Sequence, residues 1–93
     1  MNYKLKFLPK ALREWERLDG SIKEQFKKVL ARRLENPFVA SAKLSGVENC
    51  YKIKLKKASY RLVYQVDVKE KSLTVLIVAK RDEVYSIFKD RLF

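Results

Sequence analysis

Leu73-Thr74-Val75-Leu76-Ile77-Val78-Ala79 is apolar on both parities, and no other feature constrains the fold so strongly. A strand sends successive side chains to opposite faces. A run that is apolar on both therefore belongs in the middle of a sheet, covered above and below.

The remaining segments can be read around that strand. Residues 2–7 alternate apolar Tyr3, Leu5 and Phe7 with Lys4 and Lys6, the pattern of a strand. Pro9 suits the first turn of a helix. Leu8, Leu12, Trp15 and Leu18 then form a stripe at helical spacing, with Asp19-Gly20 as the stop. Ser21 and Glu24 have the spacing of a capping box. Ile22, Phe26, Val29, Leu30 and Leu34 mark the buried face of a second helix, which ends at Asn36-Pro37. The two helices form an αα-hairpin. Residues 38–49 are irregular, with a short strand expected near residues 42–44. Strands follow over residues 51–56, 60–66 and 72–80, and residues 67–71 make a polar hairpin loop. Asp82 is a cap for a last, short helix with Val84, Ile87, Phe88 and Leu92 on one face. The order β-αα-βββ-α predicts an α+β fold. Its N-terminal strand, twisted antiparallel sheet and packed helical hairpin make one domain over residues 1–93.

Lys plus Arg number 22 against 11 Asp plus Glu, a net charge of +11. This exceeds the magnitude of about 2–8 that solubility requires. A polyanionic partner is expected. Six of the basic residues fall between Lys43 and Arg61, where Glu48 is the only acid. In the stretch C-Y-K-I-K-L-K-K-A-S-Y-R, period two separates Tyr51, Ile53 and Leu55 from Lys52, Lys54 and Lys56. Like charges stacked on one strand face cost stability. RNA is the leading candidate for a ligand that would offset this cost.

The chain has no histidine and one cysteine, Cys50. Histidine-based nucleases, Ser-His-Asp and Cys-His hydrolases and His-built zinc sites are excluded. Cys50 has no partner base and reads as a small packing residue. The acids are scattered and do not suggest a two-metal nuclease. No phosphate-binding glycine loop occurs. No metal or small-molecule cofactor is expected. No apolar run approaches a membrane span, and a single cysteine fits a reducing cytoplasm.

Arg61, Arg81 and Tyr85 complete a possible phosphate site with the lysine row. Arginine offers a planar fork to phosphate, and tyrosine offers a face on which a base can stack. Cleavage of RNA by its own 2′-OH needs that hydroxyl deprotonated and the phosphorane stabilised. Cations serve the second task. For the first, an isolated lysine, with a reference pKa of about 10.4, needs neighbouring cations to favour its neutral form.

The stretch A-L-R-E-W-E-R-L, the run L-E-N-P, the segment K-L-S-G-V-E-N-C-Y-K-I-K-L-K-K-A-S-Y-R-L-V-Y-Q-V and the closing K-R-D-E-V-Y-S resemble the RelE family of bacterial toxins. The resemblance spans essentially the whole chain. It implies a RelE/ParE-like fold and a metal-independent mRNA interferase. Such a toxin cuts the codon in the ribosomal A site by 2′-OH attack and leaves 2′,3′-cyclic phosphate and 5′-OH ends. It implies Lys54 as general base, Lys52 and Arg61 as phosphorane stabilisers, Arg81 at the leaving group and Tyr85 stacked on the mRNA. Lys43, Lys56 and Lys57 are expected as further RNA contacts. The partners implied are ribosome, rRNA, mRNA and a cognate antitoxin, in a bacterial or archaeal cytoplasm. The antitoxin is expected to be a partly disordered acidic or amphipathic chain that displaces the C-terminal helix or covers the basic face. Only Asp82-Glu83-Val84 separate Arg81 from Tyr85, two residues fewer than in the best-known members.

Two rivals share these features. A ParE-type toxin uses the same scaffold to poison DNA gyrase and generally lacks this basic set. A non-catalytic rRNA- or DNA-binding module would need the charge without particular residues at 54 or 81.

Overall fold

The computed structural model describes residues 2–92, without the side chain of Leu92. In order, the elements are β1 (Lys4–Phe7), α1 (Pro9–Glu16), α2 (Gly20–Glu35), a 3₁₀ turn (Ala40–Ala42), β2 (Cys50–Lys54), β3 (Tyr60–Asp67), β4 (Ser72–Lys80) and α3 (Val84–Leu92). The sheet order is β1-β4-β3-β2, so the apolar run is an inner strand. Every β4 residue from Leu73 to Ala79 is buried except half-buried Thr74.

The sheet is mixed, which corrects the expectation of a wholly antiparallel one. β1 runs parallel to β4, with Lys4 opposite Ser72 and Phe7 opposite Val75. Alternation of side chains identifies a strand but carries no direction. β4, β3 and β2 are antiparallel. The register slips between Val63 and Tyr64, opposite Ile77 and Val75, and leaves Leu76 as the extra residue of a bulge.

One face of the sheet is closed by the helical hairpin. Ala11, Leu18, Phe26 and Leu30 pack there on Tyr51, Ile53, Leu62, Tyr64, Val66 and Val78. Trp15 lies between Phe7 and Phe26, with ring centroids 5.6 and 6.2 Å away. Leu12, expected in the stripe, is 41% exposed, and Ala11 takes the buried position instead. The second helix begins one residue before Ser21. Asp19 is its N-cap and accepts the Ser21 N–H at 3.2 Å, while Glu24 pairs with Lys27. Ser and Asp are both good caps, and here the earlier one wins.

The other face is covered by α3 and by the loop carrying Leu44 and Val47, which pack on Cys50, Val63, Leu76, Ile77 and Ala79. Val84, Ile87 and Phe88 are the inner residues of α3, while Leu92 lies outside the described side chains. Asp82 sits in the preceding turn and does not cap α3. The helix starts at Val84, and the Glu83 carbonyl accepts the Ile87 N–H at 3.1 Å. The strand expected at residues 42–44 is reduced to one bridge between Lys43 and Tyr51. Among the described residues no helix is long and apolar enough to cross a membrane.

Candidate functional site

The basic residues are brought together by strand register. The Asn49 carbonyl accepts the Val66 N–H at 2.9 Å, which fixes the phase of the β2–β3 ladder. Lys52 opposite Val63 and Lys54 opposite Arg61 are then the close, non-hydrogen-bonded pairs, with Cα atoms about 4.5 Å apart. Two cations at such a pair repel one another. The same phase turns the Lys52 carbonyl outward from the sheet, where Arg33 Nη1 donates to it at 3.2 Å. That nitrogen also donates to the Tyr64 hydroxyl at 2.9 Å, and the hydroxyl donates to the Pro37 carbonyl at 2.8 Å. Burial pushes the Tyr64 phenol above its ordinary pKa, and the Arg33 hydrogen bond and charge oppose the shift.

Lys52, Arg61 and Tyr85 line one cavity of about 150 Å³, together with Leu44, Ser45, Val63, Val84 and Phe88. Tyr85 is the second residue of α3 and is 77% exposed. The shorter connection from Arg81 therefore leaves the ring at the cavity rim. A second, polar cavity of about 290 Å³ adjoins through Arg61 and is lined also by Lys56, Lys57 and Arg81. Arg81 reaches it because its N–H donates to the Ser59 carbonyl at 2.8 Å, which carries the β3–β4 ladder one step past both strands. Lys56 lies beyond the end of β2 at Lys54, although the alternation of buried Leu55 and exposed Lys56 continues.

Lys54 is not brought into either cavity. It is exposed and lines a groove with Gln25, Lys28, Arg32 and Arg33 of α2, on the β2 edge. Lys43 is exposed on the loop side and stands apart from Arg81. Cys50 is fully buried, and burial raises its thiol pKa, in keeping with a packing role. Among the described residues no group of three or more His, Cys, Asp or Glu gathers to hold a metal.

The arrangement can bind a phosphodiester between Lys52 and Arg61, present further cations to its neighbours and stack a base on Tyr85. Sequence reasoning did not find the apolar floor of this site. Val84 and Phe88 were visible as a helical stripe, but nothing local links Leu44 or Val63 to Tyr85.

A second buried cluster was also missed. Glu14, one of the acids that look scattered in the sequence, forms a bidentate pair with Arg91 at 2.8 and 3.0 Å. The available signals were Glu14 sharing a stripe with Ala11 and Leu18, and Arg91 lying seven residues after Val84.

Residues 5–85 match the family described as the ParE toxin of the type II toxin–antitoxin system, parDE. The chain is 47% identical over 88 residues to the mRNA interferase toxin RelE of Escherichia coli strain K12, covering 92% of this chain and 93% of that one. Its fold is similar to that of an alanine-substituted double mutant of E. coli toxin RelE in the free state (TM-score 0.89, 43% identity, all of both chains). It is also similar to the intact E. coli RelBE toxin–antitoxin complex (TM-score 0.83, 45% identity), over 84% of this chain and 95% of that one.

Proposed function

This chain belongs to the RelE family of type II toxins, and from that premise we propose that it is an endoribonuclease that cuts mRNA on the ribosome. The observation that carries the reading is the convergence of Lys52, Arg61 and Tyr85 on one cavity, with Arg81 next to it through Arg61. Tyr85 holds a base of the codon. Lys54, one cross-strand step from Arg61, takes the 2′-OH proton. The 2′ oxygen attacks phosphorus, Lys52 and Arg61 neutralise the phosphorane, and the P–O5′ bond breaks. Arg81 stabilises the departing 5′ oxygen, which takes up a proton from solvent water. The products are a 2′,3′-cyclic phosphate and a 5′-OH.

These residues supply charge and little alignment. Positioning the 2′ oxygen in line with the leaving oxygen falls to the ribosome, and alignment of this kind is worth orders of magnitude in rate. The protein therefore works in the cytoplasm, with Lys43, Lys56 and Lys57 as further contacts to RNA. Its natural inhibitor is a cognate antitoxin, as the RelBE assembly of the relative suggests. An acidic or amphipathic chain that folds on binding would neutralise +11 and cover apolar surface.

The test is 5′-end mapping of mRNA on programmed ribosomes. Cuts confined to the A-site codon, with naked RNA left nearly intact, are expected. Equal cutting of ribosome-free RNA would refute the reading. The ParE description of the family match favours one alternative, a gyrase poison on this scaffold. Trapped DNA breaks with gyrase and supercoiled DNA, in the absence of mRNA cleavage, would establish that alternative.

A further inference from the structure

Glu14 of α1 and Arg91 of α3 are 77 positions apart and meet at an open stretch of sheet edge. β1 pairs with β4 only as far as Val75, whose carbonyl takes the Leu8 N–H at 3.0 Å. β4 continues to Lys80 without that neighbour. Glu14 Oε1 accepts the Val78 N–H at 3.0 Å, and Arg91 Nη1 donates to the Leu76 carbonyl at 2.8 Å. The two side chains thus serve backbone groups that β1 would otherwise have served. They also bond one another, Nη1 to Oε1 at 3.0 Å and Nη2 to Oε2 at 2.8 Å. Only 13% of the Arg91 side chain and 21% of Glu14 is exposed. Breaking a bidentate, largely buried pair strands the remaining partner and costs far more than breaking an exposed pair.

The pair sits at the end of α3 opposite Tyr85. A helix of nine residues is not stable in water by itself, so α3 persists only while docked. Its other anchors are Val84, Ile87 and Phe88.

We propose that Glu14 and Arg91 are a positioning pair that clasps α3 to β4 and so holds Tyr85 at the cavity of Lys52 and Arg61. Neither touches the RNA. The claim for Tyr85 rests on the cleavage reading above, whereas the claim for α3 does not.

The test uses the full chain with Glu14→Gln and Arg91→Ala. Gln keeps an acceptor for the Val78 N–H and loses the charge. Hydrogen exchange of residues 84–92 should accelerate about 10-fold or more, with α2 and β3 unchanged. Single-turnover cleavage on programmed ribosomes should fall about 10-fold at saturating toxin, with ribosome affinity unchanged. In a Tyr85→Ala background the same substitutions should cost nothing further, because both act through one group.

Unchanged exchange in α3 overturns the proposal. So does loss of protection throughout the chain in both variants, which would make the pair a general bridge of the fold. Losses that add fully to that of Tyr85→Ala overturn the positioning role. If the wild-type chain cuts no mRNA on ribosomes, the cleavage reading has failed, and the exchange measurement still decides the clasp.

Discussion

Under the helical hairpin the strands present Tyr51, Ile53, Leu62 and Tyr64, and under α3 the same strands present Cys50, Lys52, Arg61 and Val63. Each cover sends one arginine to a sheet edge: Arg33 to the Lys52 carbonyl and Arg91 to the Leu76 carbonyl. Arg33 belongs to a 16-residue helix that also buries Phe26 and Leu30. Arg91 belongs to a nine-residue helix that covers only part of its face. The hairpin side is finished as a core, and the α3 side leaves the cavity of Lys52, Arg61 and Tyr85 open. Substitutions under the hairpin should therefore change stability and spare the chemistry. Substitutions of the charged residues under α3, Lys52 and Arg61, should do the reverse.

The largest expected effect is Phe26→Ala. Phe26 is fully buried beneath Trp15. Removing it should lower unfolding free energy by about 3–5 kcal/mol. The cleavage rate per folded molecule should remain unchanged. Denaturant melts paired with single-turnover rates will check this. A rate loss in molecules shown to be folded would break the division between the two faces.

Arg61→Ala and Arg81→Ala probe the opposite face. In the proposed reaction each removes a cation that faces developing phosphorane or leaving-group charge, a loss of about 2.7–4 kcal/mol in the transition state. The cleavage step should fall about 10²–10³-fold, and thermal stability should hold or rise as like-charge repulsion eases. Lys57→Ala, on the rim of the same polar cavity, should lose about tenfold or less. Equal losses in all three would favour the non-catalytic binding module.

How far the sequence reaches can be judged from particular residues. Period-two and period-3.6 patterns located every helix and long strand, because burial on one face leaves a local trace. The bounds of β4 follow from its double-sided run and the polar loop before it. Direction leaves no such trace, so the parallel pairing of β1 was not legible. The lysine row with Arg61, Arg81 and Tyr85 came from parity and charge, and the role of each from a family resemblance; Lys52, Arg61, Arg81 and Tyr85 lie around adjoining cavities. Lys54 does not. Parity puts it on the same face, but β2 is an edge strand, and an edge residue can reach around it to α2. The pairing of distant positions leaves no local trace: Arg33, Glu14 and Arg91 look like ordinary helix charges until the fold brings Tyr64 to the first and joins the other two.

Lys54→Arg and Lys52→Arg decide which lysine is the base. Both keep the charge, but arginine does not release its proton near neutral pH. Lys54→Arg should bind ribosomes normally and cleave about 10²-fold more slowly. Lys52→Arg should lose much less, since stabilising the phosphorane asks only for charge. Lys52 is the one that lines the cavity with Arg61, so the opposite ranking would transfer the base role to it.

The smallest effect belongs to Tyr64→Phe, the mildest change available under the hairpin. It leaves the Arg33 bond to the Lys52 carbonyl and removes the hydroxyl that joins Arg33 to Pro37. The Pro37 carbonyl then loses one of its two donors and keeps the Val39 N–H at 3.1 Å. Losing such a bond while both partners keep another costs about 0.5–1.5 kcal/mol. Cleavage should not change, because Lys52 keeps its backbone anchor. The gap between the two proteins should also depend on pH. Burial raises the folded-state phenol pKa above its unfolded value, so the contribution of Tyr64 is fully present below the unfolded value. As pH climbs past about 10, the unfolded chain releases this proton while the folded chain retains it. The wild-type protein then loses stability that Tyr64→Phe has no means of losing, and the gap narrows until the folded phenol itself titrates. Denaturant melts of both proteins between pH 8 and 11 will read this directly, since every lysine titration is common to the two. A gap that stays constant or widens would mean that Arg33, by favouring phenolate, outweighs burial at this site.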